Sequence, residues 1–263
     1  MAWPETVLAI EKLIHALAIA REFGVVADIA DHVALLQRGA LVESGTRAEV
    51  LERPSHPYTQ ALIAAVPKLL VPSRPRQTFG KVMLESIEAR KAYQSRGMFG
   101  RGRATVALDG VSVTLRRGET LGLVGESGSG KSTLARAMTR LLTIDSGDIV
   151  LDGDDITRIP ARLMRTHRQK IQMIFQDPYA SLDPRQRVAD IKTKLQLSML
   201  FVTHDLRVAL QICDRIAVMR HGAIVELDET ATIHAAPKHP YTRALFDAVP
   251  GAAWSHAMAT AAS

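Results

Sequence analysis

Apolar and polar positions alternate in short bursts along this chain, with stretches of helical spacing between them. Residues 107–115 and 121–124 read as strands around an Arg-Arg-Gly turn, and residues 149–151, 171–175 and 199–202 read as three more. Residues 82–92 alternate as an edge strand would, and residues 133–142 carry helical periodicity. Strands interleaved with helices predict an α/β core with parallel strands.

The same patterning occurs twice elsewhere. Residues 25–67 align without a gap on residues 208–250 at a constant offset of 183, with 19 of 43 positions identical. Unrelated chains would share about three on average residue usage. PSHPYTQALIAAVP matches PKHPYTRALFDAVP, and RGALVE matches HGAIVE. Each copy reads as a helix, a short strand, a Gly turn, a second strand and a helix starting near His-Pro-Tyr-Thr. His56 and His239 each stand alone before a proline, which predicts a helix-start or packing role rather than metal ligation.

Composition narrows the class. With 47% hydrophobic and 23% charged residues the chain is neither collagen-like nor wholly disordered. Its apolar stretches are broken by charge before 18 residues, as at Glu11, Lys12 and His15, so no bilayer-spanning helix and no signal peptide is expected. A single cysteine, Cys213, excludes an intrachain disulfide and predicts a cytoplasmic location. Of the net charge of +6, residues 68–103 supply more than all, with nine Lys/Arg against Glu85 and Glu88. Such a run can meet nucleic acid or anionic lipid. Its ordinary role is a solvated linker, and no nucleic-acid partner is expected.

The strongest chemical signal is GESGSGKST, which satisfies G-x-x-x-x-G-K-[ST] between an apolar strand and a helix. Gly125, Gly128 and Gly130 let the backbone curl so that the N–H groups of Glu126, Ser127 and Ser129 and their neighbours can face a phosphate. The helix opening at Lys131 adds its positive dipole end. Lys131 supplies a charge to the outer phosphates, and Ser132, followed by Thr133, can offer a hydroxyl to Mg²⁺. The loop alone does not separate kinase, GTPase, helicase and transporter ATPase. Two further strand ends add weight: Gln176 in IQMIFQDPYASLDPR and His204 in LFVTHDL.

Together with ALDGVSVTLRRGETLGLVGESGSGKSTLARAM, SGDIVLDGDDIT and the HPYT units, these segments resemble the ATP-binding subunits of ABC transporters, in the oligopeptide/dipeptide importer branch. The resemblance runs from about residue 82 to 250 and, through the repeat, back to about residue 20. It implies an α/β P-loop NTPase of ABC type, a parallel core sheet with an antiparallel β subdomain. It implies ATP and Mg²⁺ as cofactors, with Gln176 as the Q-loop glutamine beside Ser132 at the metal and His204 as the switch histidine. Tyr93 is implied to stack on adenine, with Phe99 a second aromatic in the same loop. Implied partners are membrane permease subunits, a second ATPase domain and, indirectly, a periplasmic peptide receptor. The implied location is the inner face of the cell membrane, as a peripheral subunit.

Two parts of that family pattern are missing. There is no LSGGQ-like signature, and no run of four apolar residues ends in Asp-Glu between Gln176 and His204, which only 27 residues separate. Asp228–Glu229 follows an apolar run but falls inside the repeat, where the first copy has Gly45–Thr46, and is rejected as a Walker B pair. In the first copy Arg21 stands where the second has His204. The expected organisation is a remnant of a first ATPase domain over 1–67, a basic linker over 68–81, a second ATPase domain lacking its helical signature subdomain over 82–250, and an Ala-rich tail, expected to be disordered, over 251–263. The expected function is nucleotide binding with hydrolysis impaired. The alternatives are a non-catalytic interaction fragment or a decayed product without activity. A nucleic-acid-associated P-loop protein and a metabolite kinase fit less of the chain.

Overall fold

The computed structural model describes residues 8–12, 16–20, 23–66, 69, 71–72, 78–94, 104–160, 162–171, 173 and 197–250. The chain divides into two compact units, one of residues 1–70 with 244–263 and one of residues 71–243.

In the first unit β1 (Leu8–Lys12), β2 (Ala16–Ala20), β3 (His32–Gln37) and β4 (Ala40–Thr46) form an antiparallel sheet of order β2–β1–β3–β4. Helices α1 (Phe23–Ile29), α2 (Arg47–Glu52) and α3 (Pro57–Ala64) accompany it. The hydrophobic positions of α1, β3 and α2 converge in a small core of Val26, Val33, Leu35, Val50 and Leu51. Helix α2 starts in a capping box, with the Thr46 hydroxyl taking the Glu49 N–H and the Glu49 carboxylate taking the Thr46 N–H.

The second unit carries two sheets. Strands β5 (Val82–Gln94), β6 (Ala104–Arg116), β8 (Ser146–Leu151) and β9 (Asp154–Asp155) form an antiparallel sheet of order β6–β5–β8–β9. Strand β7 (Thr120–Val124) lies in the other sheet, parallel to both β10 (Met199–Val202) and β11 (Arg215–Arg220). Strand β12 (Ala223–Glu229) closes that sheet antiparallel to β11, giving the order β10–β7–β11–β12. Helices α4 (Lys131–Met138), α5 (Met164–His167), α6 (Leu206–Ile212), α7 (Thr230–Ala235) and the first four residues of α8 (Pro240–Asp247) complete the set. All five residues of β7 are buried, as a central parallel strand covered on both faces should be. Leu121 and Leu123 join Leu108, Leu134, Met138 and Ile149 in the main core. Each such leucine contributes about 1.5–3 kcal/mol by leaving water.

Strand β5 differs from its expected edge position: it lies between β6 and β8. Its alternation arises because one face meets the core and the other meets solvent, a pattern shared by central antiparallel strands. Of the strand expected over 171–175, Ile171 and Met173 are in no strand, and the other three residues lie outside the described residues.

The repeat is structural as well as sequential. Every helix and strand from α1 to α3 recurs 183 residues later, from α6 to α8, with the same bounds. Both hairpins place a non-glycine residue at positive φ before a glycine (Arg38–Gly39; His221–Gly222), and both carry a register shift one strand in (Leu35/Leu36; Val218/Met219). The strand orders also correspond, except that β1, antiparallel to its neighbours, fills the place that β7 holds in the second unit.

Candidate functional site

The loop between β7 and α4 is fixed by contacts that only glycine permits. A Cβ on Gly125, whose φ is 146°, would lie 2.2 Å from the Met219 carbonyl oxygen, and one on Gly130 (φ 106°) 2.4 Å from that of Ala107. The loop is thus pressed between β11 and β6. Gly222, in the β11–β12 turn, donates its N–H to the Ser129 carbonyl at 2.9 Å and accepts the Asp109 N–H at 2.9 Å.

Lys131, the first residue of α4, is only 9% exposed. Its ammonium curls back to donate to the carbonyls of Gly125 (2.7 Å) and Glu126 (2.6 Å) and to the Ser129 hydroxyl (3.2 Å). Burial pushes its pKa below the ordinary lysine value, with the nearby Glu126 carboxylate pulling the other way. Among the described residues, the N–H groups of Ser127, Gly128 and Gly130 have no acceptor. Donors, a buried ammonium and a helix N-terminus therefore meet in one loop, a donor set suited to an anion of phosphate type. Ser132 is exposed in the first turn of α4, with Thr133 beside it.

Register brings in His204. Val202 of β10 pairs with Leu123 of β7, and the Thr203 N–H continues the ladder to the Leu123 carbonyl at 3.2 Å. His204 thus lies two residues past Val202, as Gly125 lies two past Leu123, and the parallel strands deliver both to the same end of the sheet. The turn holding it is built by Asp205, which caps α6 through the Arg207 N–H and also meets the Arg207 guanidinium. Tyr93 is 43% exposed and pairs across β6 with Thr105, two residues from Ala107, whose carbonyl abuts Gly130. Gln176, Phe99 and Arg21 lie outside the described residues.

Asp228 and Glu229 sit at the end of β12, in the hairpin strand farthest from β10. Asp228 is paired with Lys238 at 2.9 Å. His56 caps α3, its Nδ1 taking the Tyr58 N–H at 3.1 Å, and His239 Nδ1 takes the Tyr241 N–H at 3.1 Å. Among the described residues no group of three or more His, Cys, Asp or Glu could hold a metal, and no helix is long and apolar enough to cross a membrane.

Sequence reasoning missed Tyr241. Its hydroxyl accepts the Glu126 N–H at 3.1 Å, which makes the HPYT unit a neighbour of the phosphate-type loop. The available signal was the recurrence of Tyr in both HPYT units.

A buried parallel strand running into a glycine-lined loop and a lysine-led helix defines a P-loop nucleotide-binding protein. Residues 108–236 match the ABC transporter family model, and residues 42–96 and 225–260 each match the model of the oligopeptide/dipeptide transporter C-terminal region. The chain belongs to the ATP-binding subunits of ABC transporters, in the oligopeptide/dipeptide branch. It is 31% identical to the glutathione import ATP-binding protein GsiA of Salmonella choleraesuis strain SC-B67, covering 93% of this chain and 57% of that protein. To GsiA of Escherichia coli strain K12 it is 30% identical with the same coverage. The chain thus spans little more than half the length of these relatives. The Salmonella alignment runs over 356 positions against the 263 residues of this chain, so at least 93 of them face gaps here. Among solved structures, cbiO1 from Clostridium perfringens, part of the ABC transporter complex cbiONQ, aligns over 67% of this chain and 98% of its own, with 18% identity and a TM-score of 0.49.

Proposed function

We propose that this chain is the nucleotide-binding, energy-coupling part of an ABC importer for small peptides, with ATP turnover impaired. The observation that carries the reading is the loop at residues 125–133, with Lys131 buried beneath unspent backbone donors and His204 delivered to the same end of the sheet. In this reading Lys131 holds the outer phosphates, Ser132 and Gln176 offer oxygens to Mg²⁺, Tyr93 meets the adenine and His204 senses the terminal phosphate. Mg²⁺ neutralises charge on the phosphates when bound. The relatives named as glutathione import proteins suggest a peptide of that size as cargo. Permease subunits and a second ATPase domain would be the partners, at the inner face of the membrane.

Impaired turnover rests on the segment between Gln176 and His204. Its acids are Asp177, Asp183 and Asp190, none at the end of an apolar run, and it holds no glutamate. Loss of a general base costs about 10²–10⁴ in rate. We place the residues that face the gaps in this same segment.

The test is thermal unfolding of the purified chain with and without Mg-ATP, alongside phosphate release. At 100 times its dissociation constant a ligand adds about 2.7 kcal/mol to a folded binder. A transition that rises with Mg-ATP in the native chain but not in Lys131→Ala, without phosphate release, supports the reading. An ATP-blind melt overturns nucleotide binding, and steady phosphate release that depends on His204 overturns the claim of impairment.

A further inference from the structure

One peptide group joins the HPYT unit to the lysine of the loop. At one end of the Gly125–Glu126 peptide, the Glu126 N–H is accepted by the Tyr241 hydroxyl at 3.1 Å. At its other end, the Gly125 carbonyl accepts the Lys131 ammonium at 2.7 Å. A peptide unit is planar, so a hydroxyl fixed at the N–H sets the direction of the carbonyl and with it the resting place of Lys131. The Glu126 carbonyl takes Lys131 as well, at 2.6 Å, and the Ser129 N–H at 3.2 Å.

Tyr241 is itself held on three sides. It is 6% exposed. Its N–H is capped by His239 Nδ1, while the Glu226 carboxylate takes the N–H groups of Lys238 (2.9 Å) and His239 (3.0 Å). The Arg220 guanidinium, at the end of β11, lies 4.7 Å from the centre of the tyrosine ring. The first copy repeats the His cap and the glutamate anchor, with Tyr58, His56 and Glu43, but Gln37 stands where the second copy has Arg220. Arg220 itself is thus particular to the copy whose tyrosine meets the loop.

We propose that Tyr241 is a positioning residue for the nucleotide: its hydroxyl orients the Gly125–Glu126 peptide and so couples phosphate binding at Lys131 to the seating of the first turn of α8. The proposal rests on reading residues 125–133 as the nucleotide site. It extends that site to a residue 115 positions away in sequence.

The experiment measures the Mg-ADP dissociation constant of the full chain, its ligand-free melting temperature, and hydrogen exchange across residues 240–243. Tyr241→Phe keeps the ring and removes only the hydroxyl. It is expected to weaken Mg-ADP by up to about tenfold, the worth of one net hydrogen bond, with the ligand-free melting temperature lowered by no more than the loss of one such bond accounts for. Added Mg-ADP is expected to slow exchange in the first turn of α8 in the native chain and not in Tyr241→Phe. Arg220→Gln, which copies the first repeat, is expected to give a smaller weakening in the same direction, and it decides the matter if Tyr241→Phe does not fold. Lys131→Ala is the reference. If Lys131→Ala binds Mg-ADP like the native chain, the nucleotide-site reading itself falls. If Lys131→Ala loses binding while Tyr241→Phe and Arg220→Gln keep native affinity, this proposal alone is overturned.

Discussion

Lys131 is charged where charge is costly, and its three carbonyl and hydroxyl partners offset that cost only in part. Its pKa is lowered by burial, against the pull of Glu126. A phosphate must find the ammonium protonated, and a bound anion would raise that pKa again. Binding therefore takes up protons at alkaline pH, and Mg-ADP affinity should fall as pH climbs towards a value below the usual 10.5. Isothermal titration at several pH values checks this; an affinity that falls only at or above 10.5 would count against it. Gly125 supplies a second test at this scale. Gly125→Ala puts a methyl 2.2 Å from the Met219 carbonyl in a backbone region closed to L-residues. It should cost about 1–3 kcal/mol in urea unfolding and remove the stabilisation by Mg-ATP. A wild-type midpoint would mean that the loop can move aside.

At the scale of elements, the repeated hairpin and HPYT helix share one anchor. In both copies a carboxylate at the third position after the turn glycine's neighbour, Glu43 or Glu226, reaches across to the helix start. Burial acts to raise the Glu226 pKa, but hydrogen bonds from Thr242, Lys238 and His239 outweigh it and hold the carboxyl below its ordinary value of 4.5. A lowered acid pKa means the folded state binds fewer protons, so this support is complete above pH 4.5 and fades as pH falls through the folded value. Glu226→Gln should melt earlier at neutral pH and show a flatter acid limb than the native chain; parallel curves would remove Glu226 from the account. The hairpins and HPYT helices were legible because apolar alternation, a Gly turn and His-Pro each act locally. Strand β10 was read with its observed bounds. Helices α2 and α7, six residues each, were not read, since each buries only two residues and repeats no apolar stripe. The loop at 125–133 was legible because its glycines and lysine are adjacent in sequence. The Tyr241 contact was not: nothing local to residue 241 records a partner at residue 126, and only the folded register of β7 against β11 brings them together.

For the whole molecule the informative feature is the outer side of β10, which no other described strand covers. Its four residues are all half-buried, whereas those of β7 are buried, and among the described residues β10 pairs only with β7. An unpaired strand edge is a template for another chain. Concentration-dependent association is expected by light scattering, and Phe201→Lys on that edge should suppress it; association unchanged by the charge would place the contact elsewhere. The duplicated half-unit has a different consequence, in the path by which the chain finds its structure. Two hairpins with the same bounds, the same turn and the same register shift, in units that share 19 of 43 residues, carry similar folding instructions. Each can be taken for the other while the chain is still assembling, a failure characteristic of chains with repeated parts. What distinguishes them at that stage is their differing side chains, Arg220 against Gln37 among them, and the strand each must meet: β1, a near neighbour of β3, or β7, some ninety residues before β11. The local partner closes the shorter loop and meets less entropic resistance, so the first hairpin is expected to commit early and leave the second to find β7.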